Sequence, residues 1–286
     1  METFLEVFAG GILLILILVV VHELGHLFAA RACGVGVESF SIGFGPGFKM
    51  FTLRGIPFYF RCILLGGYVA IKSRKKPGCV SEGKYIEDAS WRQKSAIFFA
   101  GAGCNLLLAI ILRTAIYWFA PHEMKVEIFL LKFSFLPLQG AWYWAPLYAA
   151  KDVFLIFAAL LTFIFLRIWF MILPIVKMAP VANGGLIGMI GLGANAQLGF
   201  WSFCGLVYFV SIIAAAFQLL PFFPFDGGHI VTALVERIFG EGKISRALGG
   251  VLRWLGIVIL AVIIINMVMS DVFDIFGIIK KWFKSP

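Results

Sequence analysis

The sequence predicts an all-α polytopic membrane protein: about four core transmembrane helices, an interfacial or re-entrant segment, and a small membrane-associated β-hairpin after the first helix. Three observations predict it. Of 286 residues, 62% are hydrophobic and 14% charged, with a mean hydropathy of +0.99, whereas soluble domains carry roughly 45–50% apolar and about 25% charged residues. The apolar residues gather into charge-poor runs of bilayer length. Between the first two runs lies a short stretch of strand formers interrupted at Arg54-Gly55. The same hydrophobicity excludes a disordered chain. The net charge of +9 does not point to nucleic acid, because in a membrane protein basic residues first report which loops stay in the cytoplasm.

A helical crossing takes about 20 mostly apolar residues, which places spans at about 4–30, 95–120, 201–223 and 251–270. The first opens on Glu2 and Glu6 rather than on the basic start of a cleaved signal, so it is read as a permanent span. After it, region 36–72 reads as the hairpin: Phe48 to Leu53, a turn at Arg54-Gly55, then Pro57 to Arg61. From Arg31 through Lys94 the chain carries eleven Lys and Arg. That density places loop 73–94 in the cytoplasm and the N-terminus outside. Residues 121–151, with Trp142-Tyr143-Trp144, read as an external interfacial loop. Residues 152–173, interrupted by Arg167 and followed by Pro174, either lie in the interface or cross and return through the Gly-rich stretch before Trp201. Five cysteines without a C-x-x-C pair suggest neither a disulfide framework nor a thiolate metal site. The chain is expected to form one domain over 1–286.

The chemistry concentrates at His22-Glu23-Leu24-Gly25-His26, inside the first span. On a helix the two histidines lie one turn apart on one face, so both imidazoles can bind one Zn²⁺, with Glu23 beside them as the proton acceptor. The bland alternative is a pair of interior histidines, but each ionisable group in a lipid-embedded helix costs roughly 2.5 kcal/mol or more unless it is paired or functional. A catalytic zinc needs a third protein ligand. The extended H-E-x-x-H-x-x-G-x-x-H pattern does not supply one, since Ala29 and Ala32 occupy its downstream positions. The favoured third ligand is Asp226 in Pro221-Phe222-Phe223-Pro224-Phe225-Asp226-Gly227-Gly228, after 48 residues without a charge. There the two prolines end the preceding helix and the glycines let the backbone come close. By itself Asp226 also reads as a helix N-cap, and His229 is a rival ligand. Eighteen residues separate Phe4 from His22, about 27 Å of helix, which sets the metal near the cytoplasmic end of the hydrocarbon.

H-E-L-G-H, Phe44-Gly45-Pro46, Gly66-Gly67-Tyr68, Gly101-x-x-x-Asn105 and L-L-P-F-F-P-F-D-G-G-H, in this order over most of residues 10–270, resemble the site-2 protease family of intramembrane zinc metalloproteases. The resemblance implies one catalytic Zn²⁺ held by His22, His26 and Asp226, with Glu23 as the catalytic base. It also implies substrate contacts at Asn105, Gln218, Gly66 and Gly67. It departs at Gln218, where the family usually has Asn, and at Gly101-Ala102, where Gly-Pro is common. The likeness is to a short bacterial member without PDZ and CBS domains. It implies a multi-pass inner-membrane protease with its site toward the cytoplasm. Implied substrates are single-span membrane proteins or remnant signal peptides in the lipid bilayer, cut in regulated intramembrane proteolysis, with the hairpin edge holding the unwound substrate. The alternatives are a catalytically inactive zinc-binding relative and an ion or solute transporter.

Overall fold

The computed structural model describes residues 2–74, 82–120, 124–128, 131–135, 142–172, 199–240 and 247–261. Four helices among them are long and apolar enough to cross a membrane, over Ala9–Ala32, Trp91–Phe119, Ala145–Ile164 and Phe200–Gln218. The protein is a multi-pass membrane protein. Its chain forms two compact units, Leu14–Leu108 with Ser211–Ile257, and Met1–Leu13 with Ala109–Val210 and Val258–Pro286.

In the first of these units, helix α1 (Glu2–Ala32) is built from Leu, Ile and Val with no proline to break it. It stops at Gly34, whose φ of 71° is the left-handed value that favours glycine after a last helical turn. Strands β1 (Val37–Leu53) and β2 (Ile56–Ile71) then pair antiparallel. Arg54 and Gly55, with φ of 49° and 80°, form the expected two-residue turn, whose two positive φ values match the natural twist of a hairpin. The strands are long and kinked. Phe40, Ser41 and Ile42 each have partners in two places, Phe58, Tyr59 and Phe60 on one side and Val69, Tyr68 and Gly67 on the other, so the sheet is locally three strands wide.

Helix α2 (Trp91–Phe119) begins four residues before the span expected from residue 95. Ser90 and Gln93 explain the difference. The Gln93 N–H donates to Ser90 Oγ at 3.3 Å and the Ser90 N–H donates to Gln93 Oε1 at 3.1 Å, a reciprocal cap that starts the helix while Arg92 and Lys94 are still on its polar first turn. The end of α1, the root of the sheet and the start of α2 share one core that includes Leu27, Ala30, Val37, Phe40, Phe58 and Ile97. Each of its large side chains is worth roughly 1.5–3 kcal/mol on burial. Gly25 lets the two helices approach closely, since a Cβ there would overlap the Ala100 carbonyl oxygen.

Helix α4 (Phe200–Gln218) ends before Pro221, and helix α5 (Asp226–Phe239) starts after Pro224; the expected span to 223 is therefore shorter. The loop between them folds back on the first turn of α5. A Cβ on Gly227 would meet the Leu219 and Leu220 carbonyl oxygens, and one on Gly228 would lie 2.6 Å from Phe222 C and Phe223 N. Helix α6 (Ala247–Ala261) packs on the same loop through Gly256, beside the Phe223 carbonyl. It includes the described part of the span expected over 251–270. The far end of α5 is tied to α2 by an ion pair, Lys94 Nζ to Glu236 Oε2 at 3.1 Å.

In the second unit, residues expected as one external loop instead contain a hairpin, β3 (Met124–Ile128) with β4 (Leu131–Phe135). The same stretch then holds a short 3₁₀ turn, Trp142–Trp144, and the start of helix α3 (Ala145–Ile172). Helix α3 begins seven residues before the segment expected at 152. The charges of Lys151 and Asp152 masked its first turns as loop, although Asp152 has a partner. Arg113 Nε on α2 donates to Asp152 Oδ2 at 3.1 Å, and the Tyr117 hydroxyl donates to the same oxygen at 2.6 Å. Arg113 is thereby held at 8% exposure. The Gly-rich stretch expected to return the chain lies outside the described residues, as do residues 262–270. Replacing Asp152 with Leu should destabilise the protein by about 2–3 kcal/mol, because a largely buried guanidinium loses its carboxylate. Thermal melts in detergent should show a lower midpoint for D152L, with part of the loss restored in R113L/D152L; equal midpoints would show that the pair carries no stability.

Candidate metal centre

The residues singled out in the first span come together with the one singled out two hundred positions later. His22 and His26 are one turn apart on α1 and both 7% exposed. Their Nε2 atoms face each other at 3.1 Å. Asp226, the first residue of α5, sets its Oδ2 at 3.1 Å from His22 Nε2 and 3.2 Å from His26 Nε2. The three atoms make a nearly equilateral triangle. For tetrahedral Zn²⁺ with bonds near 2.0–2.1 Å, neighbouring ligand atoms stand about 3.3–3.4 Å apart, so the triangle has the size such an ion requires.

Protonation points the same way. His26 Nδ1 lies 2.8 Å from the Ile97 carbonyl oxygen, which can only accept, so Nδ1 carries the hydrogen and Nε2 presents its lone pair. Asp226 Oδ2 is buried with no hydrogen-bond donor of suitable geometry among the described residues. Two imidazole nitrogens and a carboxylate oxygen, each able to offer a lone pair, converge in a largely buried place, where one cation would satisfy all three. The donor set, two nitrogens and one oxygen, suits zinc.

Glu23 is partly exposed beside the triangle, and its carboxylate lies toward the Val69 N–H on β2. Gly67, two residues earlier on that strand, lies against Glu23: a Cβ there would be 3.2 Å from Glu23 Cγ and 2.7 Å from the Ser41 carbonyl oxygen. Gly66 has a different neighbour, the Phe44 ring, whose Cε2 would be 2.7 Å from its Cβ. Gly101 on α2 touches both imidazoles. A Cβ there would lie 2.6 Å from His22 Cε1 and as near to His26 Nε2. Asn105, one turn beyond Gly101 and so on the same face of α2, is 2% exposed with its Oδ1 unpartnered among the described residues. Gln218 is the last residue of α4.

Both rival readings of the Asp226 region resolve locally. Asp226 is not a cap: the N-cap position is Phe225 and no side chain bonds there. His229 is not in the triangle. Its ring stacks on Phe98 at 4.3 Å and meets Phe223 edge-on at 4.5 Å, and burial pushes its pKa below the usual histidine value. Sequence reasoning missed the second layer of contacts. The Ile97 carbonyl and the Val69 N–H are main-chain groups with no residue signature. The approach of Gly101 to the imidazoles was visible only as a glycine in the G-x-x-x-N pattern.

The model of peptidase family M50 matches residues 10–268. A Helicobacter pylori protein that carries the name of a zinc metalloprotease is 44% identical over 110 residues, 36% of this chain and 31% of that protein. The Escherichia coli regulator of sigma-E protease RseP is 37% identical over 121 residues, 41% of this chain and 26% of the relative. Its Haemophilus influenzae namesake is 36% identical over 129 residues, 44% of this chain and 29% of the relative. The matched stretches thus span under a third of these relatives' lengths.

Changing Gly101 to Ala should displace the imidazoles and lower bound zinc well below one ion per chain, whereas Gly103 to Ala, whose added Cβ would meet only the Phe99 ring at 3.3 Å, should leave it intact. Elemental analysis of purified protein checks this, and a full complement of zinc in G101A would contradict the packing argument.

Proposed function

The chain belongs to peptidase family M50, a family of zinc metalloproteases, and on that premise we propose that it hydrolyses peptide bonds within or near transmembrane segments of other membrane proteins. The observation that carries the proposal is the His22–His26–Asp226 triangle beside a carboxylate. We propose that these three residues hold one Zn²⁺ and that Glu23 is the catalytic base. The bound ion supplies Lewis acidity toward the scissile carbonyl and acidifies water at the site.

The chain's own groups do the rest. Glu23, beside the Val69 N–H, takes a proton from the attacking water and delivers it to the nitrogen of the leaving amine. The bond broken is the peptide C–N, and the elements of water are divided between the new carboxylate and amine. His26 is fixed by the Ile97 carbonyl, so its ring does not have to reorient during turnover. Asn105 is proposed to reach the substrate main chain with its buried, unpartnered amide oxygen aimed from the same face of α2 as Gly101. Gln218, at the end of α4, and the Gly66-Gly67 backbone are proposed further contacts.

A helical substrate shields its own peptide bonds, so it must unwind before cleavage. The β1–β2 sheet reaches Glu23 through Gly67 and Val69, and the free edge of such a sheet can hold an extended segment by main-chain hydrogen bonds. The proposed substrates are single-span membrane proteins or remnant signal peptides in a bacterial inner membrane, cut toward the cytoplasmic side. The names of the RseP relatives suggest a regulatory role.

Glu23→Gln should keep zinc and lose cleavage of a single-span test substrate by roughly 10²-fold or more, while Asp226→Ala should lose both. Cleavage retained in E23Q would refute the assigned base. Proline placed at successive positions along one edge of β1 or β2 should slow cleavage at unchanged zinc content, and undiminished cleavage would refute the strand-pairing step.

A further inference from the structure

Away from the metal triangle, two arginines from separate elements face one cavity of about 510 Å³. Arg31 stands in the last turn of α1 and Arg54 in the left-handed turn between β1 and β2. Glu82 is the third charged group on the wall, and the main chain at Gly34, Gly55 and Gly83 forms much of the remainder. All three charged residues are exposed. Among the described residues, none of their side chains makes an ion pair or a hydrogen bond. Glycine walls leave both guanidiniums reachable, and the site carries one positive charge in excess.

The surroundings state what kind of anion fits. Arg31 ends an apolar stretch, Ala9–Ala32, of membrane-spanning length, so the cavity opens at the level where lipid hydrocarbon gives way to headgroups. The strand leading to Arg54 is apolar and exposed, with Phe48, Met50, Phe51 and Leu53 at 63%, 38%, 50% and 56% exposure. A small inorganic ion would engage the arginines and leave that strand unused. An amphiphile engages both: its phosphate reaches the paired guanidiniums, which suit phosphate oxygens, and its acyl chains lie along the strand.

We propose that this cavity binds the phosphodiester headgroup of an anionic glycerophospholipid, and that the bound lipid anchors the β1–β2 hairpin at the membrane surface. The inference is independent of the protease reading. It uses no residue of the metal triangle and would stand if that reading fell.

The test is thermal unfolding of the full chain, stripped of native lipid in an uncharged detergent and titrated with dihexanoyl phosphatidylglycerol, with inorganic phosphate and a poly-glutamate peptide as separate arms. The lipid should raise the midpoint by several degrees and saturate, because a ligand of the folded state stabilises it by mass action. In R31Q/R54Q the half-saturating concentration should rise about tenfold or the shift should vanish. Glu82→Gln, which keeps both arginines and removes the opposing charge, should lower the half-saturating concentration; this variant also decides the matter if R31Q/R54Q fails to fold. An equal response from R31Q/R54Q, or an unchanged or raised half-saturation in E82Q, overturns the proposal. So does the absence of any lipid shift. A full shift with inorganic phosphate alone would make the cavity a free-phosphate site, and one with poly-glutamate but not lipid would assign it to an acidic peptide; either result overturns it as well.

Discussion

Two imidazole nitrogens and a carboxylate oxygen stand within 3.2 Å of one another in a poorly hydrated place. Such electron-rich atoms are costly to bury together and repel one another unless a shared cation or a bridging proton compensates them. Everything around the triangle keeps it assembled. Glycines 25 and 101 let α2 close on α1 and on the imidazoles, and glycines 227 and 228 let the 219–225 loop fold over the start of α5. The Ile97 carbonyl fixes one ring. Larger side chains at these positions would open the arrangement, so the small residues here serve the site as much as the fold.

The placement of Glu23 follows from the sheet. A strand that merely covered the metal site would shield it. Here β2 instead turns the Val69 N–H toward the carboxylate, and Gly67 brings that strand close against the Glu23 side chain. The group proposed to move the proton and the edge proposed to hold the substrate are thus parts of one local structure. Cleavage and strand binding would then be coupled by geometry, since a substrate paired on the edge lies beside the base.

Much of this was legible in the residues, and the reasons for the exceptions are physical. The proposed ligands were legible as candidates because a histidine pair at helical spacing in an apolar run has few other uses, and because Asp226 closes 48 residues without a charge. The hairpin turn was legible because Arg54-Gly55 interrupts two runs of strand formers. Helix starts were not. Helix α2 begins at Trp91 because of a reciprocal Ser90–Gln93 cap that hydropathy does not register. Helix α3 begins at Ala145 because the carboxylate of Asp152 is neutralised by Arg113, a partner 39 positions away. The β3–β4 hairpin was missed in a stretch whose prolines and aromatic residues suggested an interfacial loop. The main-chain partners of His26 and Glu23 had no signature at all, since any residue could supply a carbonyl or an N–H.

The central claim is that one zinc ion is shared between α1 and α5. X-ray absorption at the zinc edge on the purified protein tests it most directly. The account predicts a first shell of two imidazole nitrogens at about 2.0–2.1 Å and carboxylate or water oxygens at about 2.0–2.2 Å, with no sulfur, and a shell that loses an oxygen or loses the metal when Asp226 is replaced by Asn. A spectrum with sulfur ligands, or one unchanged by that replacement, would contradict it.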